Sequence, residues 1–189
     1  KAEIDNNSIN LINVNFTKSD KKNNSYYIKK CFNVAIDLIK KKYTYKFING
    51  PINKKTFLKN KFLGITEFIS SRFKEKNIGM LIYNKNLSVC PLTTHLPLKL
   101  VSSKITKNLI INKLQLIDQF YKKHLKFKPK IAVTGLNPHC ESISKFNEDE
   151  KIVSVAIKLS QKKKIHVKGP FPADTIFLKK NRDEFNVIL

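Results

Sequence analysis

What most constrains this chain is a unit that recurs: a short strand-like apolar run that leads directly into a loop stiffened by proline. Leu87-Ser88-Val89-Cys90 leads into Thr93-Thr94-His95-Leu96-Pro97-Leu98. Ile131-Ala132-Val133 leads into Gly135-Leu136-Asn137-Pro138-His139-Cys140-Glu141, and Ile165-His166-Val167 leads into Gly169-Pro170-Phe171-Pro172-Ala173-Asp174-Thr175-Ile176-Phe177. Between these runs lie stretches of helical period. Residues 106–125 set Leu109, Leu114, Ile117, Phe120 and Tyr121 on one side. Residues 147–161 open with Glu148, Asp149 and Glu150, which suit a helix N-terminal dipole. Strands alternating with helices predict an α/β fold with a largely parallel sheet. Open sheets of this kind bind ligands at the carboxyl ends of their strands.

The remaining segments fit the same frame. Residues 11–16, 45–48 and 78–83 read as strands, and residues 185–189 as a final buried one. Ser25 is a plausible N-cap for a helix that presents Tyr27, Cys31, Val34, Leu38 and Ile39. No internal repeat and no Pro/Gly/Ser-rich linker interrupts residues 1–189, so no domain boundary is assignable.

Composition narrows the function classes. The net charge is +23, which suggests nucleic acid or an anionic membrane surface as a partner. Yet Arg72 and Arg182 are the only arginines, and the lysines are dispersed. A phosphate-reading surface favours planar, bidentate arginine. AT-rich codons, which encode Lys, Asn and Ile, account for the charge more simply than specific nucleic-acid binding. A basic nucleic-acid-binding module stays as the alternative. The three cysteines, Cys31, Cys90 and Cys140, show no CxxC spacing, which points to a reducing, cytoplasmic compartment. No apolar run approaches the roughly 20 residues of a membrane span.

Two histidines stand out because proline fixes the backbone beside each of them. Rigid imidazoles at His95 and His139 suggest a divalent-metal site assembled from distant parts of the sequence, and imidazole suits zinc and other borderline cations. The plainer reading makes them loop or capping residues. Cys140 adjoins His139, but neighbouring side chains in extended backbone point opposite ways. His124 suits a helix C-terminus, and His166 lies in a strand as a structural residue. There is no GxGxxG, so a Rossmann dinucleotide site is not supported.

The His95, His139 and Gly169 to Phe177 segments, in this order, resemble the 4-hydroxythreonine-4-phosphate dehydrogenase family of pyridoxal phosphate biosynthesis. Gly50-Pro51-Ile52-Asn53-Lys54 and Gly64-Ile65-Thr66-Glu67-Phe68 look like two further motifs of that family. The likeness runs from about Asn24 to the end of the chain. It implies a three-layer α/β/α fold like that of the isocitrate and isopropylmalate dehydrogenases, with the central to late portion represented. It also implies NAD, used without the Rossmann fingerprint, and one divalent cation (zinc, magnesium, manganese or cobalt) held by three histidines. His95 and His139 match the first two of these. Thr66 matches a substrate-binding position; its other reading is a helix cap. Ile65 stands where well-known members carry a substrate-binding histidine. Glu141 and Asp174 lie in matched motifs without an assigned role, and Asp174 is also a candidate helix cap.

The implied reaction is NAD-dependent oxidation and decarboxylation of 4-phosphooxy-L-threonine to 3-amino-2-oxopropyl phosphate. A related dehydrogenase acting on another phosphorylated hydroxy acid is the second expectation. The partners implied are the small phosphorylated substrate and a second copy, in a homodimer with the active site at the interface. No specific nucleic acid and no membrane is expected. The family chain continues past the strand at residues 185–189 into a segment carrying its third metal histidine. This sequence is therefore expected to be an incomplete copy, with weak metal binding and no detectable NAD reduction by itself.

Overall fold

Ile131-Ala132-Val133 and Val187-Ile188 contain no polar residue, the pattern of parallel strands buried on both faces. The computed structural model pairs them directly. It describes residues 5, 7–22, 24–59, 61–75, 77–141 and 146–189. The chain divides into two units, Lys1–Glu75 and Lys76–Leu189. No composition change marks that junction, which is why the sequence offers no boundary there.

The first unit is helical among its described residues. It contains α1 (Lys18–Lys22), α2 (Asn24–Lys40), α3 (Lys54–Leu58) and α4 (Ile65–Phe73). Phe32 of α2 is buried, and its ring meets Phe47, Phe57 and Phe68 at centroid distances of 5.3, 5.2 and 5.4 Å. Helix α3 starts where the Asn53 side chain accepts the Thr56 N–H at 3.2 Å. The Ser25 hydroxyl does not cap α2; it donates to the Thr56 carbonyl at 3.2 Å. The strands expected at residues 11–16 and 45–48 are absent. Among the described residues no neighbouring strand pairs with either segment, and apolar character alone does not satisfy a backbone. Ile9, Leu11 and Ile48 are left almost fully exposed.

The second unit holds the sheet. Its elements are β1 (Ser88–Val89), α5 (Leu98–Lys104), α6 (Lys107–Phe120), β2 (Ile131–Thr134), α7 (Val155–Lys162), β3 (Val167–Phe171), α8 (Lys179–Arg182) and β4 (Val187–Ile188). A π-helical turn, Tyr121–Leu125, extends α6, and another, Asp149–Ser154, precedes α7. The strand order is β1-β4-β2-β3 and every pairing is parallel. Register pairs Ser88 with Val187, and Val187 in turn with Ile131. The expected strand at 78–83 reduces to one antiparallel bridge between Ile82 and Val89. The expected strand at 165–167 begins only at Val167 and runs on through the bulged pairing with β2.

Side chains alternate across the sheet, as the strand period requires. Ile131, Val133, Val167, Val187 and Leu189 join Ile110, Leu114 and Ile117 of α6 and Ala156 and Ile157 of α7 in one core. Ala132 and Ile188 face the other way, where Ile176 and Phe185 cover them. Helix α6 begins as expected, with the Thr106 hydroxyl accepting the Leu109 N–H at 3.2 Å. At its far end the buried Tyr121 hydroxyl donates to Ser88 Oγ of β1 at 2.9 Å. This bond anchors the π turn to the sheet.

Candidate functional site

In a parallel sheet every strand delivers the loop that follows it to the same edge. The loops after β1 and β2 carry His95 and His139, so both histidines belong to the carboxyl edge of the sheet. One strand, β4, lies between their strands. Strand spacing then separates the axes of β1 and β2 by about 10 Å. Both imidazole-bearing residues are exposed. His95 has φ of 57°, a left-handed conformation uncommon outside glycine. Two residues on, Pro97 occupies the N-cap of α5. A pocket of about 290 Å³ opens at this edge, bounded by residues 89–92 at the end of β1, by residues 133–136 at the end of β2 and by Ala173 and Phe177.

The His139 loop is built from short, directed contacts. The Cys140 N–H donates to the Asn137 carbonyl at 3.0 Å. This closes a four-residue turn with Pro138 and His139 in the middle, and with asparagine and proline in the positions turns favour. His139 therefore stands at the tip. At the base, the Gly135 N–H donates to the Phe171 carbonyl at 2.9 Å. A Cβ on Gly135 would lie 2.6 Å from Cys140 Sγ and 3.1 Å from Asp149 Oδ1, so only glycine fits. Cys140 thus packs inward while His139 points to solvent. Burial pushes the Cys140 thiol up, and the charges of Asp149, Asp174 and Glu141 push it further. A thiol held protonated in this way is a poor metal ligand.

Asp149 was legible in the sequence only as an acidic residue early in a helix. In the fold it is fully buried. Its Oδ1 accepts the Leu136 N–H at 2.6 Å; its Oδ2 accepts the Asn137 N–H at 2.9 Å and the Asn137 side-chain amide at 3.0 Å. No spacing rule predicts a carboxylate gripping a loop a dozen residues upstream.

The other sequence candidates fall in different places. Asp174 does not cap a helix; it lies exposed in the turn after β3, at the same edge as the histidine loops. Glu141 is exposed beside Cys140. Thr66 belongs to the first unit, exposed in the first turn of α4. It is not the cap, because Gly64 occupies that position and supplies no side-chain hydrogen bond. The first amides of α4 therefore depend on some other acceptor, the arrangement that makes helix N-termini anion sites. Ile65 is half-buried directly before Thr66. His124 is exposed in the π turn, 5.2 Å from the Phe120 ring.

His166 lies at the opposite, amino edge of the sheet. It lines a cavity of about 690 Å³ with Lys128, Lys130, Lys164 and Lys168. The segments leaving α7 and the π turn after α6 supply Lys164 and Lys128, close to helix C-termini whose dipoles favour cations.

The donor chemistry of the carboxyl edge suits a divalent cation. Two exposed imidazoles are borderline donors, and the carboxylates of Asp149, Asp174 and Glu141 make the surroundings electronegative. Among the described residues, no group of three His, Cys, Asp or Glu side chains surrounds a common point. His95 and His139 are two candidate donors at this edge. Among the described residues no helix is long and apolar enough to cross a membrane.

The family model described as pyridoxal phosphate biosynthetic protein PdxA matches residues 1–189. A 4-hydroxythreonine-4-phosphate dehydrogenase of Sulfurihydrogenibium is 34% identical over 175 residues, covering 89% of this chain and 54% of the relative. The crystal structure of a 4-hydroxythreonine-4-phosphate dehydrogenase from Klebsiella pneumoniae superposes with a TM-score of 0.73 at 25% identity, covering 84% of this chain and 50% of that one. A D-threonate 4-phosphate dehydrogenase of Pectobacterium atrosepticum is 26% identical over 163 residues, covering 85% of this chain and 50% of the relative. The chain spans about half the length of the curated relatives it matches.

Proposed function

The chain belongs to the pyridoxal phosphate biosynthetic protein PdxA family, and from that premise we propose that the protein carrying it oxidises and decarboxylates 4-phosphooxy-L-threonine with NAD, giving 3-amino-2-oxopropyl phosphate. The observation that carries the reading is the delivery of two proline-fixed histidine loops to one carboxyl edge of a parallel sheet. His95 and His139 are the chain's ligands to a divalent cation. When bound, that cation supplies positive charge that lowers the pKa of the substrate hydroxyl and stabilises the charge developing as CO2 leaves. Thr66 donates its hydroxyl to the substrate phosphate or carboxylate, beside the uncapped amides of α4. The working form is a homodimer with this site at the subunit interface. Three free thiols, Cys31, Cys90 and Cys140, support a cytoplasmic location.

Ile65 favours a second reading. It offers no hydrogen bond where well-known family members carry a histidine, and one relative of this chain is a D-threonate 4-phosphate dehydrogenase. A related phosphorylated hydroxy acid is then the substrate. NADH formation by the full-length protein, measured with 4-phosphooxy-L-threonine and with D-threonate 4-phosphate, separates the two by their kcat/KM. His139→Ala is expected to abolish turnover with either substrate while leaving the far-ultraviolet circular dichroism unchanged. Full activity in that variant would refute the metal assignment.

A further inference from the structure

The π turn at Asp149–Ser154 opens a helix whose N-terminus is already capped. Asn147 Oδ1 accepts the Asp149 N–H at 2.9 Å and the Glu150 N–H at 3.3 Å. A second capping side chain is not required there. Yet Asp149, fully buried in the first turn, sends its carboxylate to a different segment. Both oxygens go to the loop that leaves β2: Oδ1 to the Leu136 N–H at 2.6 Å, Oδ2 to the Asn137 N–H at 2.9 Å and to Asn137 Nδ2 at 3.0 Å. Two consecutive backbone amides and the side chain of the residue that starts the His139 turn are thereby fixed by one anion. Asn137 closes that turn through its carbonyl to the Cys140 N–H at 3.0 Å. Gly135 leaves no room for the base to shift, because Cys140 Sγ and Asp149 Oδ1 already fill the space a Cβ would need.

We propose that Asp149 is a positioning residue for the metal site: its buried carboxylate holds residues 136–137 so that His139 is presented at the carboxyl edge in a ligating geometry. The inference rests on the metal reading given above. It adds a residue that touches neither metal nor substrate and acts through the backbone of the ligand loop. Charge-assisted bonds to backbone amides are among the stronger hydrogen bonds, and outer-shell partners of metal ligands commonly change metal affinity about 10–100-fold. The near-isosteric Asp149→Asn variant keeps the volume but replaces one acceptor oxygen by an amino group facing an N–H donor.

The test is a zinc titration of the full-length protein carrying isotopically labelled histidine, followed by NMR, with Zn2+ alone as the probe. Asp149→Asn is expected to weaken the zinc response of the His139 ring by about tenfold or more. It should speed amide exchange at Leu136 and Asn137 while leaving Ile131 and Ala132 protected. Asn147→Ala, which removes only the helix cap, is the control; it should lower the melting temperature without moving the zinc midpoint. Asp149 would lose the role if its variant bound zinc like the parent protein, or if Asn147→Ala weakened zinc equally. A parent protein whose His139 ring ignores zinc would defeat the metal reading separately. Backbone relaxation at His139 then decides the positioning claim: increased mobility in Asp149→Asn sustains it, and unchanged mobility overturns it.

Discussion

In Lys76–Leu189 the buried side chains are mostly aliphatic and come from strands and helices far apart in sequence. In Lys1–Glu75 the buried hydrophobic residues among those described are Phe32, Ile36 and Leu58, and the Phe32 ring meets three half-buried phenylalanine rings. The first arrangement distributes burial over two faces of a sheet. The second rests on a few residues, while Ile9, Leu11 and Ile48 remain exposed. A small unit buries a smaller fraction of its chain and has less in reserve. The contrast teaches that stability and chemistry are allotted differently here: the histidine edge sits on the deeper core, and Thr66 on the shallower one.

The largest expected effect tests that allotment. Phe32→Ala removes the ring that Phe47, Phe57 and Phe68 all touch, and is expected to cost about 3–5 kcal/mol. Hydrogen exchange should then show protection lost in α2 to α4 and kept in β2. Equal loss in β2 would mean the two units unfold together, and the contrast would fail. A smaller effect is expected from Gly169→Ala. Gly169 has φ of 137°, and a Cβ there would stand 2.5 Å from the Val133 carbonyl oxygen. The strain should cost about 1–3 kcal/mol in the second unit only, read as a lowered denaturant midpoint for β2 and β3 amides.

The smallest effect is a pH dependence confined to the first unit. The Lys30 ammonium, bonded to Asp20 at 2.8 Å, lowers that carboxyl from 3.8 to about 2. A depressed carboxyl stabilises the fold above its unfolded pKa and loses that contribution as pH falls through its folded pKa. Support for α1 and α2 should therefore fade between about pH 4 and pH 2. The carbon-13 shift of the Asp20 carboxyl should titrate near 2, and Lys30→Met should return it towards 3.8. A titration that stays near 2 in that variant would remove the ion pair from the explanation.

The same contrast governs what the sequence made legible. β2 and β4 were readable because their residues are uniformly apolar and find parallel partners. Residues 11–16 and 45–48 are also rich in apolar side chains, but among the described residues no strand lies beside them, and pairing rather than composition makes a strand. The histidine loops could be placed at strand ends from the apolar runs before them and the prolines within them. Thr66 was visible by motif, whereas its freedom from a capping duty depends on Gly64 holding the cap. Asp149 was hidden altogether. Its role arises from hydrogen bonds spanning 12 and 13 residues, which exist only once helix and loop have met.

The position of β4 sets an order of assembly. β1 and β2 never pair with each other; both are joined to β4, which follows them both in sequence. Ser88 waits for Val187, and Ile131 waits for the same residue. On a ribosome, both histidine loops emerge long before the strand that spaces them. Contacts this distant in sequence slow folding through loop-closure entropy. A nascent chain halted before Val187 would carry His95 and His139 on strands that β4 has not yet joined, so the two loops come to share an edge only when β4 docks.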